Sequence, residues 1–233
     1  TWAEYVVANA DNCIPLKSGM PIEQGASLII NPLTALAMLE TAHRAGHKAG
    51  VHTAGASQLG RMMIAMANEL EFPLINIVRR DAQADVIRSL GAKHTLNSMN
   101  EGFIGELKAL CERLRATAAF EAIAGEMTGN VLNAMPAGAT AYVYGALSQE
   151  ACGHTDPLRL VFHKKTVTGF FLGNWLDERG AIGILRAAGR VQRMIIDGTI
   201  GTTVQRRLEL NDVVDGLLQY VHHMTDGKVL IVP

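Results

Sequence analysis

The chain has 233 residues and a formal net charge of −1, and 18% of its residues are charged. That length fits one large domain, or one domain with part of another, and the charge balance argues against nucleic-acid binding or a polybasic membrane surface. No apolar run reaches the roughly 18 residues that span a bilayer, and the first residues do not read as a signal peptide. Cys13, Cys111 and Cys152 are far apart and odd in number, which argues against a disulfide framework or a Cys-x-x-Cys metal site. The expectation is a soluble protein of a reducing compartment, the cytoplasm.

The chain opens on Thr1, and Trp2 to Val7 reads as a strand entered in its middle, the pattern of a fragment. A loop over Ile14–Gly19 leads to a helical segment that Pro21 begins, Pro32 interrupts and Leu33–Ala45 resumes, ending at Gly46. Ala49–Ala54 supplies a short buried strand. The helix after it, 57–70, carries Leu59, Met62, Met63, Met66 and Leu70 on one face. Regular alternation follows: strand 74–79, helix 82–90, strand 93–97, helix 101–115, strand 118–123, helix 126–135 and strand 139–145. Asp81 is the expected N-cap of the second helix and Gly91 its stop. Cys111 shares an apolar face with Phe103, Ile104, Leu107, Leu110 and Leu114, so it reads as core. A short helix near 158–163 and a strand over 166–171 close the run. This rhythm predicts an α/β fold, a Rossmann-type doubly wound parallel sheet covered on both faces. The tail departs from it, with a helix over 182–196, an extended segment over 203–210 and a helix over 212–222. An Asp226-Gly227 turn then leads into a final strand over 228–232.

Between the 49–54 strand and its helix, Gly55-Ala56-Ser57-Gln58-Leu59-Gly60 follows the G-x-G-x-x-G spacing, with serine in the middle glycine's place. The chemistry behind that spacing is a pyrophosphate resting on the amide N–H groups of a helix N-terminus. Gly55 is expected to permit the sharp turn, Ser57 to let the backbone approach the phosphates, and Gly60 to let helix pack close to sheet. Arg79 and Arg80 end the next strand, where an NAD site offers an acid to the ribose hydroxyls. Guanidinium groups there bind a 2′-phosphate by charge-assisted hydrogen bonds, so NADP is expected over NAD. Gly145-Ala146 follows the fifth strand, at the sheet edge where open α/β folds bind ligands. His43, His47, His52, His94, His154, His163, His222 and His223 show no ligand spacing, and no metal site is expected.

Four segments resemble the zinc-independent medium-chain dehydrogenases/reductases, of the quinone reductase and enoyl reductase branch. They are Thr1–Val7, Asn31-Pro32-Leu33-Thr34-Ala35, Ala54–Gly60 and Gly227-Lys228-Val229-Leu230, in that order. The resemblance implies a chain lacking most of that family's N-terminal catalytic domain. Residues 1–24 and 203–233 would be remnants of its GroES-like β-barrel, and 25–202 the NAD(P)-binding domain. It implies that Thr34 lies beside the nicotinamide and that Phe170, Phe171 and Leu172 contact the nicotinamide end. Ala54 joins the phosphate turn. Gln83 stands where relatives often place a phosphate-binding lysine. The family's proton donor is expected in the missing part, so no catalytic acid is named, and Tyr5, Tyr142, Tyr144 and Tyr220 read as packing residues. The resemblance also implies a homodimer paired through the 165–173 strand.

The expected activity is NADPH-dependent, metal-free hydride transfer to a quinone or an α,β-unsaturated carbonyl. Two alternatives stand beside it: a 2-enoyl-thioester reductase, which the Asn31–Thr34 and Asn76–Arg79 segments also suit, and a non-catalytic NADP-binding or redox-sensing module. A methyltransferase-type domain is disfavoured by Arg79-Arg80, which replace its usual acid.

Overall fold

A computed structural model describes residues 2–10, 13–221 and 227–232. Thr1, His222, His223 and Asp226, each named above, lie outside the described residues. Six parallel strands form the main sheet: β1 (Gly50–His52), β2 (Leu74–Val78), β3 (His94–Asn97), β4 (Ala118–Glu121), β5 (Thr140–Val143) and β6 (Thr166–Gly169). Their order is β3-β2-β1-β4-β5-β6, so the winding reverses between β1 and β4. Right-handed crossovers from a central strand wind outward in both directions, and a ligand crevice opens where they part.

Two apolar layers follow from the alternation of side chains across the strands. On one face Phe120 and Tyr142 pack with α2 (Ile30–Arg44), α3 (Gln58–Glu69) and α9 (Gly180–Ile196). On the other, Val51, Ile75, Ile77 and Ala119 pack with α5 (Phe103–Leu114) and α6 (Glu126–Ala134). Helix α4 (Asp81–Ser89) packs through Ala84 and Ile87 against Ile64 and Val78. Cys111 is core as expected, and burial pushes its thiol up to about 12. Ile104 and Leu70, placed on core faces from their spacing, are exposed instead.

Several boundaries differ from the sequence reading, each for a physical reason. After the single turn α1 (Ile22–Gly25), Pro32 does not interrupt a helix. It is the third residue of α2, where a missing amide N–H costs nothing. Arg80, not Asp81, is the N-cap of α4; Asp81 opens the helix, and its carboxylate accepts from Asn97 Nδ2 at 2.8 Å. The short helix α7 (Pro157–His163) leads into β6, which stops at Gly169, and α8 (Leu172–Asp177) starts where a continuing strand was expected. Residues 2–7 form no strand. Trp2, Tyr5, Val6 and Val7 are exposed, and no described segment pairs with them, so the apolar run has no described partner to order it.

The tail has its own two-stranded parallel ladder, β7 (Val204–Glu209) with β8 (Lys228–Val232), joined through α10 (Val213–Val221). Three nearly buried or half-buried glutamines knit the flanking segments to the main domain. Gln24 donates to Thr202 O at 2.9 Å and accepts from Thr202 N at 2.8 Å. Gln58 accepts from Thr203 N at 3.2 Å, and Gln192 accepts from Lys17 N at 2.6 Å while donating to Pro15 O.

Candidate functional site

All six strands run the same way, so the segments after β1, β2, β4, β5 and β6 share the carboxyl edge of the sheet. The expected residues at Ala54–Gly60, Arg79–Arg80, Gly145–Ala146 and Phe171–Leu172 therefore stand along one edge. Thr34 does not follow a strand; it is nearly buried in the first half of α2.

The β1–α3 turn is made at Ala54, not at Gly55. Ala54 has φ +56°, in the left-handed region, whereas Gly55 does not. What Gly55 supplies is space: a Cβ there would lie 3.0 Å from Asn76 Cβ and 3.3 Å from Ile77 O on β2. Its amide donates to Ile77 O at 2.9 Å, pinning the turn to the neighbouring strand. Gly60 is more demanding still. A Cβ would sit 2.3 Å from Gly55 O and 2.9 Å from Ala54 O, so the first turn of α3 packs directly on the backbone before it.

Ser57 is the N-cap of α3, its Oγ accepting from Gly60 N at 3.0 Å. The Gln58 and Leu59 side chains turn inward, and Leu59 joins the core beneath. Their amides belong to the set that every helix start leaves without an intrahelical acceptor. Backbone donors, not side chains, are thus what this turn offers an anion, and the helix dipole favours negative charge there.

At the β2–α4 corner Arg79 and Arg80 are both exposed, and neither guanidinium has a partner among the described residues. Gln83 folds back so that its Oε1 accepts from Arg79 N at 3.1 Å. After β5, Gly145 packs at Ala122, where a Cβ would come within 3.1 Å of the carbonyl oxygen, and Ala146 is exposed. Phe170 N extends the ladder by one bond to Val143 O at 2.8 Å. Phe171 is the exposed N-cap of α8, and Leu172 packs partly into the core.

Sequence reasoning missed two buried polar groups at this edge. Glu121, the last residue of β4, is fully buried beside Thr53 and Thr128, with Thr53 Oγ1 donating to Oε1 at 3.0 Å. His52 and Tyr144, read as unremarkable, meet at 2.7 Å between Nε2 and the phenol oxygen. Burial drives the His52 imidazole down to about 3, so it is neutral. Burial and the Glu121 charge hold the Tyr144 phenol above its ordinary range. The available signal was a polar residue ending an otherwise apolar strand, at positions 52–53 and 121 alike.

The profile of a family described as zinc-binding dehydrogenase matches residues 59–187. The chain belongs to this family. It is 35% identical to a putative NADPH:quinone reductase from Mesorhizobium loti, with a TM-score of 0.91, all of this chain covered and 67% of that one. It is 25% identical over 221 residues to the mitochondrial enoyl-[acyl-carrier-protein] reductase of Caenorhabditis elegans, matching 91% of this chain and 62% of that protein. The Xenopus tropicalis enzyme of the same name is 28% identical over 77% of this chain and 52% of its own length. The chain thus spans about half to three-fifths of these curated relatives. Among the described residues no three His, Cys, Asp or Glu side chains group as a metal site, and no helix is long and apolar enough to cross a membrane.

Proposed function

We propose that this chain carries the cofactor site of an NADP(H)-dependent oxidoreductase that reduces quinones or α,β-unsaturated carbonyl double bonds. The observation that carries the proposal is the pairing of two adjacent corners. A helix start packed on Gly55 and Gly60 presents backbone donors at the strand-order reversal, and two arginines with no side-chain partner among the described residues stand at the end of the next strand. Without side chains at Gly55 and Gly60 the turn packs on β2 and on its own backbone, an arrangement that suits a dinucleotide resting on the amides that open α3.

In this reading the backbone of Ala54–Gly60 takes the pyrophosphate, with Ser57, Gln58 and Leu59 contributing main-chain amides. Arg79 and Arg80 take the 2′-phosphate. Gly145, Ala146, Phe171, Leu172 and, from α2, Thr34 serve the nicotinamide end. Bound there, the nicotinamide would supply hydride to an electron-poor carbon. The chain's own part is to hold and orient it and to exclude water. No metal enters this reading; among the described residues no three His, Cys, Asp or Glu side chains converge. Residues 25–202 are the nucleotide domain in this assignment, with 1–24 and 203–233 belonging to a barrel-type catalytic domain.

The curated relatives named as enoyl reductases favour a second reading, reduction of 2-enoyl thioesters, by the same hydride chemistry. A two-fold dimer through β6 is supported by its place at the sheet edge, with all four of its residues exposed. Free cysteines at 13 and 152, both exposed, support the cytoplasm or another reducing compartment. The direct test follows NADPH oxidation with a quinone, an enone and an enoyl thioester in parallel. Turnover with one of them is expected, while a full-length protein that binds no dinucleotide overturns the reading.

A further inference from the structure

The crevice between β1 and β4 is bordered by three loops: 53–57 after β1, 122–125 after β4, and 144–153 after β5. One carboxylate is bonded directly to the first two, and through the second it is linked to the third. Each oxygen of Glu121 accepts two hydrogen bonds. Oε1 takes Thr53 Oγ1 at 3.0 Å and Ile123 N at 2.7 Å, and Oε2 takes Ala124 N and Thr128 Oγ1, both at 2.8 Å. Thr53 Oγ1 accepts in turn from Ala122 N at 2.8 Å, and its one proton has Glu121 Oε1 at 3.0 Å as the nearer acceptor, with Phe120 O at 3.4 Å.

The loop so held carries the next one. The carbonyls of Ala122, Ile123 and Gly125 accept the amides of Leu147 at 2.9 Å, Ser148 at 2.8 Å and Gly153 at 2.9 Å. Ala54 and Ala124, on either side of the Thr53–Glu121 bond, stand at φ +56° and +66°. Alanine keeps such a conformation only where its surroundings hold it there.

We propose that Glu121 is a positioning residue that sets the three loops as one unit, so that both halves of a dinucleotide meet a single preset crevice. The proposal rests on the NADP(H) reading above. An ionised carboxylate suits the task because it only accepts, and four donors converge on it. A carboxamide would turn N–H groups toward two of those donors.

Thr53→Val keeps the shape of the side chain and removes the bridging hydroxyl; Thr53→Ser keeps the hydroxyl; Glu121→Gln breaks the acceptor set. In the full-length protein, T53V and E121Q are expected to weaken NADPH binding at least tenfold, raising KM for NADPH more than they lower kcat. T53S should stay within threefold. In T53V the amides of Ile123 and Ala124, and at one remove those of Leu147 and Ser148, should exchange with solvent at least tenfold faster. A purely structural role would lower the melting temperature and leave NADPH affinity alone. The proposal is overturned if folded T53V binds NADPH like the parent, or if faster exchange stops at Ala122. Should E121Q not fold, T53V decides. A parent that binds no dinucleotide refutes the cofactor reading, and the exchange measurement still decides the coupling.

Discussion

The β1–α3 turn and the β2–α4 corner are neighbours on the carboxyl edge, and they are built in opposite ways. The turn is packed: Gly60 against Gly55 O, Gly55 against Asn76, Ser57 capping α3, and His52 and Thr53 fully buried behind it. The corner is open, with two exposed arginines whose guanidinium groups have no partner among the described residues. In the proposed reading the packed turn takes what all dinucleotides share, a pyrophosphate, through main-chain donors. The open corner in that reading takes what distinguishes them, through guanidinium charge that no described residue pairs with. Affinity and choice are thus separable by mutation.

The largest effect is expected at Gly60. A valine side chain cannot fit where even a Cβ would stand 2.3 Å from a carbonyl oxygen, so helix and turn must part. We expect Gly60→Val to lose at least about 100-fold in affinity for either dinucleotide and about 3 kcal/mol of stability, read by calorimetry and denaturant melts. Normal NADPH binding by this variant would place the phosphate turn elsewhere.

Next comes the corner. Arg79→Ala with Arg80→Ala should cost NADPH about 10- to 100-fold, because a charge-assisted contact is worth about 1.5–3 kcal/mol, and should leave NADH binding unchanged. Equal losses for both cofactors would show that the corner is not selective.

A buried histidine behind the turn makes a third difference visible, in stability alone. His52 is held near 3 by burial, against 6.5 for a free imidazole. Between those values the unfolded chain takes up a proton that the folded one refuses. Stability therefore falls as pH drops from about 6.5 toward 3, by up to about 1.4 kcal/mol per pH unit from this group. His52→Gln removes the titration, and its stability between pH 6 and 4.5 should fall less steeply than the parent's. Identical slopes would mean that His52 is not the group responsible.

The smallest effect on either corner is expected from β6, on the far side of the sheet. Thr166 N donates to Ala139 O just before β5 and Phe170 N to Val143 O at its end, so the amide of Val167 faces outward. Val167→Pro removes that outward donor and should give monomers by light scattering with cofactor affinity intact. A parent that is already monomeric at tens of micromolar contradicts the dimer.

The turn and most of the strands were legible because their signals are local. A buried apolar run, a glycine spacing and an amphipathic helix follow one another within 20 residues. Pro32 misled because a helix's first turn tolerates what its interior does not, and Trp2–Val7 misled because an apolar run becomes a strand only beside a partner strand. The Glu121 network was not legible at all. Thr53 and Glu121 lie 68 residues apart, and Gln58 and Thr203 lie 145 apart. Only the fold brings each pair within hydrogen-bonding distance, and a single polar residue at a strand end does not announce its partner. The exposed arginines were visible in the sequence, yet their lack of an ion pair among the described residues was not.

The central claim is that the packed turn and the open corner together form an NADP(H) site, and one calorimetric titration tests it directly. NADPH and NADH are titrated in turn into the unmodified protein at the same ionic strength. NADPH should bind at least tenfold more tightly, a difference of about 1.4 kcal/mol or more. Equal affinities would contradict the NADP(H) assignment, and no binding of either would contradict the site itself.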